Sequence, residues 1–137
     1  MQQVVLHAVH FSQSKDQTMI KRHKKARIMH AAVEHNGVLY IGGHAAHDLD
    51  KGMGDQTREI CQKLDTLMAE AGTDKSQLLQ ARIYITDMSK KEEMNSAWLE
   101  WLGGEDLPAR ATIGVADLGD PKRLIEIASI AAMPQSA

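Results

Sequence analysis

The chain has 137 residues, enough for one domain with a single sizeable core. Hydrophobic residues make up 43% and charged residues 25%, an ordinary balance for a folded soluble protein and not one for a disordered chain. The formal net charge of −2 gives no global pull toward nucleic acid or an anionic membrane, and no stretch approaches the roughly 20 apolar residues of a membrane span, so neither is expected as a partner.

The single cysteine, Cys61, excludes an internal disulfide framework and fits a reducing, cytoplasmic setting. It falls at a helical position with apolar neighbours and reads as a small packed hydrophobe. The N-terminal stretch MQQVVLHAVH lacks the basic and long apolar regions of a secretory signal. Residues 1–30 are poor in acids and end in KRHKKAR, a faint transit-peptide character. The basic run itself reads as a solvated surface segment. A phosphate-binding patch is the alternative, disfavoured because no aromatic residue interleaves with the charges.

In chain order, VVLHAVHF (4–11) reads as a possible strand and QSKDQT (13–18) as a linker. MHAAVEH (29–35), Asn36-Gly37 and VLYIGG (38–43) together predict a β-hairpin, because Asn-Gly suits a type I′ turn. HAAHDLDKGMG (44–54) predicts a polar loop. From Asp55, a candidate N-cap, the period becomes helical: Ile60, Leu64, Leu67, Met68 and Ala71 share one stripe, and Gly72 ends it. LLQARIYITD (78–87) reads as a strand. Ser89-Lys90-Lys91-Glu92 has the form of a capping box and opens a second helix with Met94, Ala97, Trp98, Trp101 and Leu102 on one face. Two strands close the chain, ATIGVAD after Arg110 and Leu124 to Met133, linked through a Gly-Asp-Pro turn. Each helix has one apolar face, so both are expected on the same side of one sheet, making a two-layer α+β domain. The other sheet face then needs a cover, for which a second copy of the chain is the simplest candidate.

Two charged residues stand out in the last strands. Glu126 sits in a strand otherwise apolar on both faces, where an ionised carboxylate is costly unless paired or hydrogen-bonded. Such a group suits a general base for water. On spacing alone, a structural ion pair or an exposed strand end is the favoured account. Arg110 begins a strand face of small residues, Thr112, Gly114 and Ala116, and a guanidinium there suits a planar carboxylate; an exposed arginine at a strand entrance is the bland reading. In a simple hairpin about Asp120, Arg110 and Glu126 would stand roughly 17 Å apart along the ladder at ~3.3 Å per residue. Either the two strands are not direct partners, or a second subunit completes a site. His44 and His47, with His30 and His35 nearby, make a weak H-x-x-H pattern without a Cys or Glu to complete it, so no metal is expected. His44 is instead a candidate pocket residue beside the Gly42-Gly43 pair, whose bare backbone lets a ligand approach. No glycine-rich nucleotide-binding motif is present.

PARATIGV and LIEIASIAA resemble the C-terminal signature of the RidA/YjgF family, in which an Arg after Pro-Ala precedes a strand of the form I-E-I-x-x-I-A. HNGVLYIGG, QTREICQKLDTLMAEAG, ARIYITDM and MNSAWLEWL are similar, in order, to the family's second strand, first helix, third strand and second helix. The resemblance runs from Met19 to Pro134 and assigns residues 19–137 to a RidA-like domain. Residues 1–18 lie outside it, as an upstream stretch or an extra edge strand. The resemblance implies a chorismate-mutase-like fold, a mixed sheet with two helices on one face. It further implies a homotrimer with ligand sites in the clefts between subunits, and hydrolysis of reactive enamines and imines such as 2-aminoacrylate and 2-iminopropanoate to keto acids and ammonia, without a cofactor. By this similarity Arg110 would hold a small carboxylate and Glu126 would activate water. Gly43 and Thr112 would offer backbone hydrogen bonds, and Asn95 would stand near the cleft. Several positions depart from the family pattern: Met29 replaces a pocket tyrosine, Thr112 a cysteine and Ala128 a second glutamate, and His44 stands where a glutamine often follows the glycine. These mark a divergent subgroup, for which a binding trimer without turnover is the alternative to an enzyme.

Overall fold

A computed structural model describes residues 18–135. The elements in chain order are β1 (Lys21–Lys25), β2 (His30–His35), β3 (Val38–His44), α1 (Met53–Ala71), β4 (Leu78–Ile85), α2 (Lys91–Leu102), β5 (Ala109–Gly114) and β6 (Ile125–Ala132). The six strands form one mixed sheet in the order β1-β2-β3-β6-β4-β5. β4 and β5 run parallel, and every other neighbouring pair is antiparallel.

The Asn-Gly hairpin forms as its sequence predicts. Asn36 and Gly37 both take positive φ, 52° and 75°, as a type I′ turn requires, and His35 pairs with Val38 at its base. The expected strand at 4–11 lies outside the described residues. The basic run is exposed, as expected of a surface segment, and also contains β1, which pairs with β2 at the edge of the sheet. An edge strand needs little apolar alternation, which is why period-two reading passes over KRHKK.

α1 starts three residues earlier than expected, behind Gly52. Asp55 is not its cap but lies in the first turn, with its carboxylate 2.9 Å from the Arg58 guanidinium. The C-terminus ends as predicted. Gly72, at φ 97°, donates to the Ala69 carbonyl, and the Thr73 N–H reaches back to Met68, the paired bonds of a Schellman motif. The capping box before α2 does not form. Asp87 takes the hydrogen bonds of the Ser89 N–H and hydroxyl, capping a short 3-10 turn at Met88–Lys90, and α2 begins behind Lys90 with no side-chain cap.

Both helices lie on one face of the sheet. Ile60, Leu64 and Met68 of α1 and Met94 and Trp98 of α2 are buried with Leu39, Ile41, Ile83, Ile85, Ile125 and Ile127 of the strands. The helices also meet at Trp101, whose indole N–H donates to Asp65 at 3.0 Å. Cys61 is buried here, and desolvation pushes its thiol up to about 12, so it packs rather than reacts. The opposite face of the sheet carries Val33, Tyr40, Tyr84, Ala128 and Ile130, and no described element is stacked on it; Tyr40 is 48% exposed.

Of the arrangements left open by spacing, β5 and β6 are not direct partners: β4 lies between them, parallel to β5 and antiparallel to β6. Alternation reports which face a residue occupies but not which strand is its neighbour.

Ile127 is fully buried and Leu99 is 47% exposed. Truncating Ile127 to Ala should lower unfolding free energy by about 2–5 kcal/mol through lost transfer and cavity terms, whereas Leu99→Ala should change it by about 0.5 kcal/mol or less. Urea titrations with matched slopes would check the contrast.

Candidate functional site

The central strand β6 sorts its residues strictly. Ile125, Ile127, Ser129 and Ala131 are buried beneath the helices, which turns Glu126, Ala128 and Ile130 to the open face. Beside β6, the pairing of β3 slips. Ile41 faces Ser129 but His44 faces Ile127, so β3 carries one residue more than its partner, a bulge at Gly42-Gly43. The absence of side chains there is used on the open face. A Cβ built on Gly43 would stand 2.6 Å from the Glu126 carboxylate oxygen Oε2, and one on Gly42 would stand 2.7 Å from the terminal methyl of Met29. The Glu126 carboxylate therefore lies against bare backbone, and Met29, Gly42, Gly43 and Glu126 form one cluster.

Arg110 belongs to a different place. It pairs with Ala81, a core residue, so it points to the helix side of edge strand β5. There its guanidinium donates to the Asn95 side-chain oxygen at 2.7 Å and lies 3.9 Å from the Met94 sulfur. Asn95 is itself turned by a 3.1 Å hydrogen bond to Glu92. Thr112 follows on the same face of β5, paired with Ile83. The N-terminal half of α2 thus aims Arg110 while leaving it exposed to a ligand from outside.

Within one chain the two groups do not meet. Glu126 pairs with Tyr84 and Arg110 with Ala81, two strands over and three residues along, on opposite faces. At ~4.8 Å between strands and ~3.3 Å per residue their Cα atoms stand roughly 14 Å apart.

His44 lies on the helix side, away from the Met29–Glu126 cluster, and lines a cavity under α1. Its Nδ1 is 2.8 Å from the Gly42 carbonyl, which can only accept, so Nδ1 carries the proton and Nε2 is the acceptor of the neutral ring. Burial, and then the nearby Lys63 and Lys24, hold its pKa below the ordinary histidine value, against the opposing pull of the Gly42 bond and Glu126. Lys63 is also held down by burial. Sequence reasoning singled out His44 and the glycine pair but passed over Lys63, whose flank of the α1 stripe reads as an ordinary polar face. Among the described residues, no group of three His, Cys, Asp or Glu side chains is arranged to hold a metal ion.

Residues 20–133 match the model of a family described as Endoribonuclease L-PSP. A RutC family protein of Haemophilus ducreyi is 36% identical over 99 residues, 72% of this chain and 84% of that one. The RutC family protein YoaB of Escherichia coli is 34% identical over 101 residues, 74% of this chain and 87% of that one. Among solved structures, NMB1025 of Neisseria meningitidis, a member of the YjgF protein family, superposes with a TM-score of 0.80 at 29% identity, covering 88% of this chain and 99% of that one. The matched span and these relatives lead to one assignment: the chain belongs to the RidA/YjgF family.

Proposed function

We propose that the chain hydrolyses reactive enamines and imines of small 2-amino-acid origin, in clefts between the subunits of a homotrimer. The observation that carries this reading is the split of complementary groups between two surfaces. Glu126 rests on Gly43 on an open, partly apolar sheet face, and Arg110 is aimed by Asn95 at the sheet edge. Each is half of a site. A cyclic arrangement that lays the β5–α2 edge of one copy against the open face of the next would bring the halves together and cover the bare face.

In such a cleft Arg110 would grip the substrate carboxylate through the guanidinium nitrogens that Asn95 leaves unengaged. The enamine, as its imine tautomer, would present its C=N carbon to a water beside Glu126. Glu126 would take a proton from the water as its oxygen bonds to carbon, then deliver that proton to nitrogen. Glu126 then carries the hydroxyl proton of the resulting carbinolamine to its nitrogen as the C–N bond breaks and C=O forms, giving a keto acid and ammonia. Gly43 and Thr112 would supply backbone hydrogen bonds to the bound anion. No group beyond these side chains and water is required by the balance of atoms.

Met29 favours a second reading, binding without turnover. Its methyl lies over Gly42 where relatives of the family pattern place a hydroxyl, so this wall offers no proton donor. Calorimetry with a small keto acid, alongside turnover assays, separates the two. The nuclease in the family description is the weaker fit here, since basic β1 carries no Phe, Tyr or Trp on which a base would stack.

Coupled to a pyridoxal-dependent dehydratase that releases 2-aminoacrylate, the protein should accelerate keto-acid appearance over buffer. Glu126→Gln should lower kcat by about 10²–10⁴-fold with binding kept. Arg110→Ala should lower kcat/KM by about 10²-fold, chiefly through KM. Gly43→Ala, which drives a Cβ into the space of the Glu126 carboxylate, should act like a weaker form of the glutamate change. Co-expressing the Arg110→Ala and Glu126→Gln chains should restore about a quarter of the sites, because in a cyclic trimer each site draws one group from each neighbour. No recovery in that mixture would rule out a shared cleft.

A further inference from the structure

On the helix-covered side of the sheet, a cavity of about 680 Å³ opens between the β1–β2 edge and α1. Its size falls in the range of small-molecule sites, ~300–1,000 Å³. Lys24 and Lys25 contribute from β1, His44 from the end of β3, and Lys63 and Glu59 from α1. Glu59 is already engaged: its carboxylate accepts the backbone N–H groups of His47 and Asp48 and lies 4.0 Å from Lys51. Lys63 spends one ammonium hydrogen on the Ala45 carbonyl at 2.7 Å, leaving two donors. Lys24 has one ion pair, to exposed Glu70 at 3.7 Å, a weak contact in water. Ala26, Ala31 and Leu67 add an apolar wall.

We propose that this cavity binds the tetrahedral oxyanion of a small phosphorylated metabolite, held by Lys63, Lys24 and His44. Lysines act as compact point charges suited to a multiply charged oxyanion, and no arginine fork is present in the lining to favour a planar carboxylate. The titratable groups that line the cavity with His44 are Lys63 and Glu59 of α1, Lys24 and Lys25 of β1 and His47 of the following loop, while the charge of Glu126 reaches the ring from the other side of the bulge. Burial and the two lysines lower the ring's affinity for a proton. An anion between those lysines reverses the balance, so the ring takes up a proton and gains a second donor at Nε2. Binding is therefore tighter as pH falls. The same ring holds the Gly42 carbonyl, so occupancy reaches the backbone against which Glu126 lies. The site is distinct from the proposed cleft and does not rest on the deaminase reading.

Sulfate is the probe, because it stays doubly charged near neutrality and any pH dependence then belongs to the protein. Titrated into the full chain at constant ionic strength, it should give saturable NMR shifts of the His44 ring and the Gly42 and Gly43 amides. It should move the His44 titration upward and bind severalfold tighter at about pH 6 than at about pH 8. Lys63→Met, which keeps the aliphatic stem, should weaken sulfate about tenfold with native spectral dispersion kept, while Arg110→Ala should leave the affinity unchanged. Shifts that never saturate, saturable binding untouched by Lys63→Met, or loss of binding in Arg110→Ala would each overturn the proposal.

Discussion

The carboxylate of Glu126 can lie on the sheet surface because β3 spends two glycines beside it. The bulge adds one residue to β3, turns the Gly42 and Gly43 positions toward the open face, and leaves no side chain in the volume the carboxylate fills. Most of what is distinctive about this surface follows from that accommodation. The acid is set in a strand whose other face is sealed in the core, so it cannot rotate inward. Met29 closes over the neighbouring glycine, and His44, one step further along, crosses to the helix side and ties its ring back to the bulge. One irregularity in one strand thus connects both faces of the sheet.

The sheet itself is asymmetric in its covering. Two helices bury one face with aliphatic and aromatic side chains, and the other face presents tyrosines and aliphatic residues without a partner among the described elements. Arg110, at the far edge, is held by an asparagine from the first turns of α2 and not by an acid. A guanidinium bonded to a neutral amide keeps its full charge available to an incoming anion. The proposed assembly uses both features at once: it covers an unsatisfied surface and pairs an oriented cation with an oriented base.

Much of the architecture was readable from the chain. The Asn-Gly turn was legible because both of its residues tolerate positive φ, the helices because their buried stripes follow the helical period, and the α1 terminus because Gly72 suits the left-handed conformation. Strand neighbours were not legible. β5 and β6 each show the right alternation, yet β4 separates them, since periodicity carries no information about pairing. β1 was missed because five basic and histidine residues at an edge need no apolar rhythm. The capping box failed because Asp87, two residues before Ser89, competes for its hydrogen bonds. Of the candidate site residues, Glu126 and Arg110 stood out by chemistry, and family likeness tied them to one site; Lys24 lay in a basic run for which a phosphate patch was the disfavoured alternative, and Lys63 gave no signal until folding placed it beside His44.

β6 follows every other described element in the chain, yet it lies in the middle of the sheet, between β3 and β4. Until it arrives, the β1-β2-β3 meander and the β4-β5 pair are two unconnected ribbons, each with an open seam. On a ribosome, therefore, the domain cannot close until β6 has emerged. Until then the waiting seams must be kept from pairing with those of other nascent chains.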